Sequence, residues 1–223
     1  MIAMRPYLLV VLSVLASLVC EDRSFWQNDA SELLDRKLTV HVSRATLIYT
    51  LGTLARDYGI RIGLEKSSTH KDEKKIDIDV EGASLRDVLD SITRQEPAYR
   101  WELIDGVINF TPVQDRYGFV VSLLDTPVSR FALTKGSDKF DIRNRILELP
   151  EVRSLMTSQG IVVDRLSDDY SYSRSTDAGK RSDLSISNTN VRGVLNKVIR
   201  DSEYKTWVIE LTGKNKESLL ISF

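Results

Sequence analysis

A stretch of 28 residues occurs twice in this chain: residues 76–103, moved forward 106 positions, fall on 182–209 without a gap. Arg86, Val88, Leu89, Arg94 and Trp101 land on Arg192, Val194, Leu195, Arg200 and Trp207. Leu85 meets Val191, Ile92 meets Val198, Leu103 meets Ile209, and Ile78 and Val80 meet Leu184 and Ile186. A chain that repeats its apolar spacing in this way has to bury two similar faces, so it is constrained to build one supersecondary unit twice. The repeat carries no catalytic constellation, which points to a duplicated binding or docking unit.

The spacing around the repeat defines the elements. Leu38 to Val42 alternates with period two and reads as a half-buried strand. Ser43 is placed to cap a helix through Leu47, Leu51, Leu54 and Tyr58, and Gly59 stops it. Strands follow at 60–64 and 76–80, with the charged loop Lys66 to Lys75 between them. Ser84 and Asp87 form a capping box for a helix carrying Leu85, Val88, Leu89 and Ile92, which Pro97 ends. Tyr99, Trp101 and Leu103 alternate, Asp105-Gly106 turns the chain, and Val107 to Phe110 returns antiparallel. The apolar run at 117–124 reads as a connecting strand. After it the pattern resumes: a strand at 128–133, a helix capped by Asp141, a break at Leu149-Pro150 with a second short turn, and an echo of 59–62 at 160–163. A polar loop at 167–180, a strand at 183–187, the Asn190-capped helix and a final longer hairpin complete it.

The expected fold class is therefore α+β, as two tandem small βαββαββ modules with helices packed on short mixed sheets. The boundaries read as a signal peptide at 1–20, a linker at 21–36, a first module at 37–112, a connecting strand at 113–127 and a second module at 128–223. Its front half has diverged.

The leader rests on Arg5 followed by the apolar run Tyr7 to Val19, too short to span a bilayer comfortably and suited to a secretory signal. Export is expected. The single cysteine, Cys20, ends that run. Cleavage before Cys20 would leave a lipidated N-terminus, although Val19 stands where lipoprotein signals carry a small residue; cleavage after it would leave a mature chain without a thiol. The formal net charge of −1 offers no electrostatic footprint for nucleic acid.

Chemical candidates are few. His41 falls in the polar phase of a strand and His70 in a charged loop, and neither belongs to a ligand-spaced cluster. Asp77 and Asp79 alternate with isoleucine as a solvated strand face, and Asp168/Asp169 lack the ligand alternation of an EF-hand loop. A hydrolase would need one of the histidines beside a serine nucleophile. No phosphate loop, dinucleotide fingerprint or nucleophile elbow is present. No catalytic residue, metal or cofactor is expected. The recurring pairs Arg86/Arg192 and Trp101/Trp207 are the candidate binding residues, with Arg94/Arg200 complementing the helix dipoles.

The helix-Gly-Ile-x-Ile text of Leu51 to Ile62, the run Val-Glu-Gly-Ala-Ser-Leu-Arg-Asp-Val-Leu-Asp at 80–90, and Tyr-Arg-Trp-Glu-Leu-Ile-Asp-Gly-Val-Ile-Asn-Phe at 99–110 resemble the secretin and TonB N-terminus short domain. The resemblance covers about a third of the chain directly, and two thirds if the second module is counted. It implies a non-enzymatic, periplasmic domain that docks protein partners of the cell envelope. The β-barrel that follows in secretins and transporters is not part of this sequence, so only the docking role carries over. Membrane attachment would come only through lipidation at Cys20. The alternative expectation is a periplasmic small-molecule or glycan-binding protein, with Arg86, Arg192, Trp101 and Trp207 lining a cleft between the modules.

Overall fold

Alternation and capping place the elements of the computed structural model, which describes residues 31–67, 74–114, 116–163, 183–212, 215 and 218–223. The leader, Cys20, His70, Asp168 and Asp169 lie outside the described residues. After a helical turn at 31–35, the chain runs β1 (Lys37–Ala45), α1 (Leu47–Tyr58), β2 (Ile62–Glu65), β3 (Ile76–Ser84), α2 (Leu85–Gln95), β4 (Tyr99–Ile104) and β5 (Val107–Pro112). Then come α3 (Gly118–Asp125), β6 (Pro127–Leu133), α4 (Lys139–Leu147), α5 (Pro150–Gln159), β7 (Val162–Val163), β8 (Leu184–Asn190), α6 (Val191–Asp201), β9 (Thr206–Thr212) and β10 (Ser218–Ser222). The fold is α+β.

The same order, strand, helix, strand, strand, helix, strand, strand, runs over 37–112 and again over 127–222, where α4 and α5 together stand in place of α1. The helices before β2 and β7 end on Gly59 and Gly160, whose φ of 69° and 64° a side chain would resist. The repeated helices start on Ser84 and Asn190, which accept from the N–H groups of Asp87 and Gly193. Only Ser84 is part of a closed capping box, because Gly193 has no side chain to return the bond.

The two halves do not keep separate main sheets. Their hairpins and post-helix strands join in one six-stranded mixed sheet of order β4-β5-β2-β9-β10-β7, in which β2 and β9 pair in parallel across the join. The remaining strands form two antiparallel pairs, β1–β3 and β6–β8. Within the large sheet β5, β2 and β9 run one way and β4, β10 and β7 the other. Each strand of the first half therefore opposes its counterpart in the second, while the left-to-right order is kept. Only a half-turn about the sheet's long direction relates two such units, since both have the same hand, and that operation exchanges the faces.

Burial follows this rule. Ile62, Leu64, Ile108 and Phe110 share a core with Leu51, Leu54, Val88, Leu89 and Ile92 of α1 and α2. Val107, Trp207 and Ile209 point the other way, into a core with Val120, Leu123, Val194, Leu195 and Val198 of α3 and α6. Central strands β2 and β5 are thus buried along their whole length. Each half also lends a residue to the other's core: Val107 joins the second and Val208 packs on the first.

Four local expectations are corrected. The connecting strand at 117–124 is helix α3; its buried Phe119, Val120, Leu123 and Leu124 fall on one helical face, and an eight-residue apolar run does not reveal its period. The cap of α1 is Thr46 and not Ser43, because β1 continues to Ala45. Asp138 caps α4, with Asp141 completing its capping box three residues on. The second short turn after Pro150 is a ten-residue helix, with the proline at its first position.

Candidate docking surface

The repeated tryptophans are held by the same bond in both halves. Trp101 Nε1–H donates to Asp90 Oδ1 at 2.9 Å, and Trp207 Nε1–H donates to Asn196 Oδ1 at 2.8 Å, each from strand to helix across eleven positions. The acceptors are themselves repeat partners. Their difference in charge follows burial: Asp90 is half-buried, whereas Asn196 is fully buried, where a carboxylate would bear a large desolvation cost.

The four candidate binding residues do not converge. Trp101 lies opposite Phe110 on the face of the first core, and Trp207 lies opposite Gly63 on the other face. Trp207 is fully buried, and Gly63 makes room for it: a Cβ there would stand 2.2 Å from the indole Cε2 and Cζ2. Arg86 is exposed on α2. Arg192 is buried beneath α6, its guanidinium 3.7 Å from Glu65 and 3.4 Å from Asn109 Oδ1.

That contact belongs to a charge cluster which periodicity alone did not single out. Glu65 is fully buried at the end of β2. Arg116 grips it in bidentate fashion, Nε to Oε1 at 2.7 Å and Nη2 to Oε2 at 2.6 Å. The bond to Glu65 raises the Arg116 pKa above its ordinary value, while burial lowers that of Arg192. Asn109 is held in turn by donating to Val107 O at 2.9 Å. Asn196 donates to Ile104 O, Arg200 to Asp105 O and Arg61 to Ile199 O, so α6 is fastened to the first half as well as to its own strands. A charged residue closing an apolar strand, and a glycine two residues before it, were the available signals for this junction.

The surface that distinguishes the halves lies beside β3 and β8. Among the described residues each strand pairs on one side only, β3 with β1 and β8 with β6. In the first half Gln95 of α2 reaches back to the strand: it donates to Asp77 O at 2.8 Å and accepts from Asp77 N–H at 2.9 Å, occupying both backbone groups as a neighbouring strand would. The equivalent pair in the second half is Asp201 and Asp183. A carboxylate has no donor to offer a carbonyl, and Asp201 turns instead to Lys197 at 2.7 Å and Arg200 at 3.3 Å. The end of α6 stands off from the strand pair, leaving a depression of about 260 Å³ lined by Leu133, Asp183, Leu184, Val198 and Asp201. Beside it a second, of about 470 Å³, separates residues 186–189 of β8 from Gly193, Lys197 and Arg200 of α6 and from Asp105 of the β4–β5 turn.

The described chemical candidates, His41, Asp77 and Asp79, stay on the surface. His41 Nδ1 lies 2.6 Å from Asp79 Oδ1 across β1–β3, and Asp77 Oδ1 accepts from Ser43 Oγ and from the N–H of Arg44. Among the described residues no group of three or more His, Cys, Asp or Glu is placed to hold a metal, and no helix is long and apolar enough to cross a membrane.

No protein-family model matches the chain, and no curated protein matches it.

Proposed function

We propose that the chain is an exported, non-enzymatic docking module of the bacterial cell envelope, resembling the periplasmic N-terminal domain of secretins and TonB-dependent transducers. It receives an extended segment of an envelope protein along β8. The observation that carries this reading is a contrast at one repeated position: Gln95 occupies both backbone groups of Asp77 on β3, while at the equivalent Asp183 the end of α6 leaves a depression, with the second depression beside it along residues 186–189 of β8. Backbone groups on an open edge supply affinity to an added strand, and flanking side chains select it. Lys197 and Arg200 on the α6 wall favour a carboxylate on that segment. Export is supported by the apolar leader after Arg5.

A photo-crosslinker placed at Ser187 and, in parallel, at Arg86 tests the reading in cells. A discrete envelope protein cross-linked from position 187 and not from 86 supports it. Asp201→Gln, which gives α6 the amide that α2 uses, is expected to lower that yield. Equal yields at 187 and 86, or none at either, count against docking along β8.

The 470 Å³ depression also favours the second reading, a small-molecule or glycan site between the halves, because Asp105 comes from the first and Lys197 and Arg200 from the second. Calorimetric titration with acidic sugars that yields saturable binding, abolished by Arg200→Gln, would replace docking with this reading.

A further inference from the structure

Among the described residues β4 and β7 end the large sheet, and they differ in kind. β7 has two residues; β4 has six, pairs with β5 without a bulge from Tyr99 to Ile104, and contains no proline or lysine. Edge strands are ordinarily protected by such devices. In β4 the only charges are Arg100 and Glu102, both exposed and both on the face of Asn109 and Thr111. Trp101 and Leu103 lie on the other face, packed on the first core and still half-exposed.

We propose that β4 is a homotypic seam, through which two copies of this chain pair antiparallel with Trp101 on the two-fold axis. The register follows from charge. Residues directly opposite in an antiparallel pair share a face, so a slip of one residue sets Arg100 and Glu102 against the apolar side chains of the other strand. Three registers that keep the faces matched centre on residues of the strand's middle. Centring on Arg100 opposes arginine to arginine, and centring on Glu102 opposes glutamate to glutamate. Centring on Trp101 sets Arg100 opposite Glu102 twice, Tyr99 opposite Leu103 twice, and the tryptophans against each other. A two-fold interface has to be self-complementary, and Tyr-Arg-Trp-Glu-Leu meets that condition in this register. The Trp101 Nε1–H is already satisfied by Asp90, so its ring can close against the partner's without stranding a donor. Both six-stranded sheets then continue into one another. The seam uses a different strand from the β8 groove and does not rest on the docking reading.

Sedimentation equilibrium of the full chain as recovered from cells, over a concentration series to the millimolar range, tests the seam. The wild-type chain is expected to dimerise reversibly. Arg100→Glu alone and Glu102→Arg alone each oppose like charges and should weaken the dimer by at least about tenfold. The double exchange restores both pairs and should return the dissociation constant to within about threefold of wild type, a rescue that a defect in folding would not show. A wild-type chain that stays monomeric throughout overturns the proposal. So does a dimer indifferent to the single exchanges, or a double exchange that fails to rescue.

Discussion

Trp101 and Trp207 occupy the same place in the repeat and donate to the same position of the helix before them, yet one is half-exposed at the end of the large sheet and the other is sealed near its centre. The helices differ accordingly. α2 buries Leu85, Val88, Leu89 and Ile92, whereas α6 also buries Arg192, Asn196 and Ile199, because it covers strands of both halves. One supersecondary unit has thus been put to two uses. The copy that covers the junction has Asn196 where the other has Asp90, acceptable where no water reaches, and Asp201 where the other has Gln95, so that its helix end turns to Lys197 and not to the strand. Position in the sheet, more than the repeat's own pattern, decides what each side chain does.

The sharpest way to break this comparison is to truncate both tryptophans. Trp207→Ala is expected to cost about 3–5 kcal/mol, the range for a fully buried aromatic, and Trp101→Ala less than half as much. Urea unfolding of the two variants measures the difference, and equal losses would mean that the halves are equally buried in solution. Next in size is the charge cluster. Arg116→Met leaves the buried Glu65 carboxylate with Arg192 alone, 3.7 Å away, and should cost about 2–4 kcal/mol. Arg192→Met keeps the bidentate pair and should cost clearly less in the same experiment.

The two tight glycines provide a finer contrast. Gly63→Ala drives a Cβ into a packed indole and should cost about 1–3 kcal/mol. At Gly193 the close atom is the Thr189 hydroxyl, 2.1 Å from a built Cβ, and rotation of that threonine can relieve the contact. Gly193→Ala should therefore cost less than about 1 kcal/mol by urea unfolding, part of it offset by alanine's helix propensity.

The smallest expected effect separates the two helix caps. Ser84→Ala should cost about 1 kcal/mol. The Ser84 hydroxyl, its backbone N–H and nearby cations hold the Asp87 carboxyl below its ordinary pKa. A carboxyl lowered on folding contributes stability above its unfolded pKa, near 4, and loses it as pH falls through the folded value. Hydrogen exchange in the first turn of α2 should accordingly quicken relative to that of α6 between about pH 5 and pH 2, since α6 carries Gly193 at the equivalent position. Equal acid responses would show that the capping box does not distinguish the helices.

Much of the local structure was legible in the residues. The Ser84–Asp87 box, the Asn190 cap, the stop at Gly59 and the Asp105-Gly106 turn stand where spacing placed them. The strand expected at 117–124 did not hold, because Phe-Val-Val-Ser-Leu-Leu satisfies either period and only packing on α6 and α5 selects a helix. The binding candidates Arg86/Arg192 and Trp101/Trp207 are residues that recur, and recurrence marks what the fold needs. Glu65, Arg116, Asn109 and Gly63 do not recur, and they hold the junction together.

Periodicity and capping are interactions between near neighbours, so they settle most of the segments that become helix or strand and that the fold is α+β. The pairing of β2 with β9, the exchange of faces between the halves and the burial of Glu65 rest on contacts between residues far apart in the chain. Each depends on which of two nearly equivalent apolar surfaces finds the other. Only the folded chain makes that choice, because a strand buried on both faces reads the same whichever partner lies beside it.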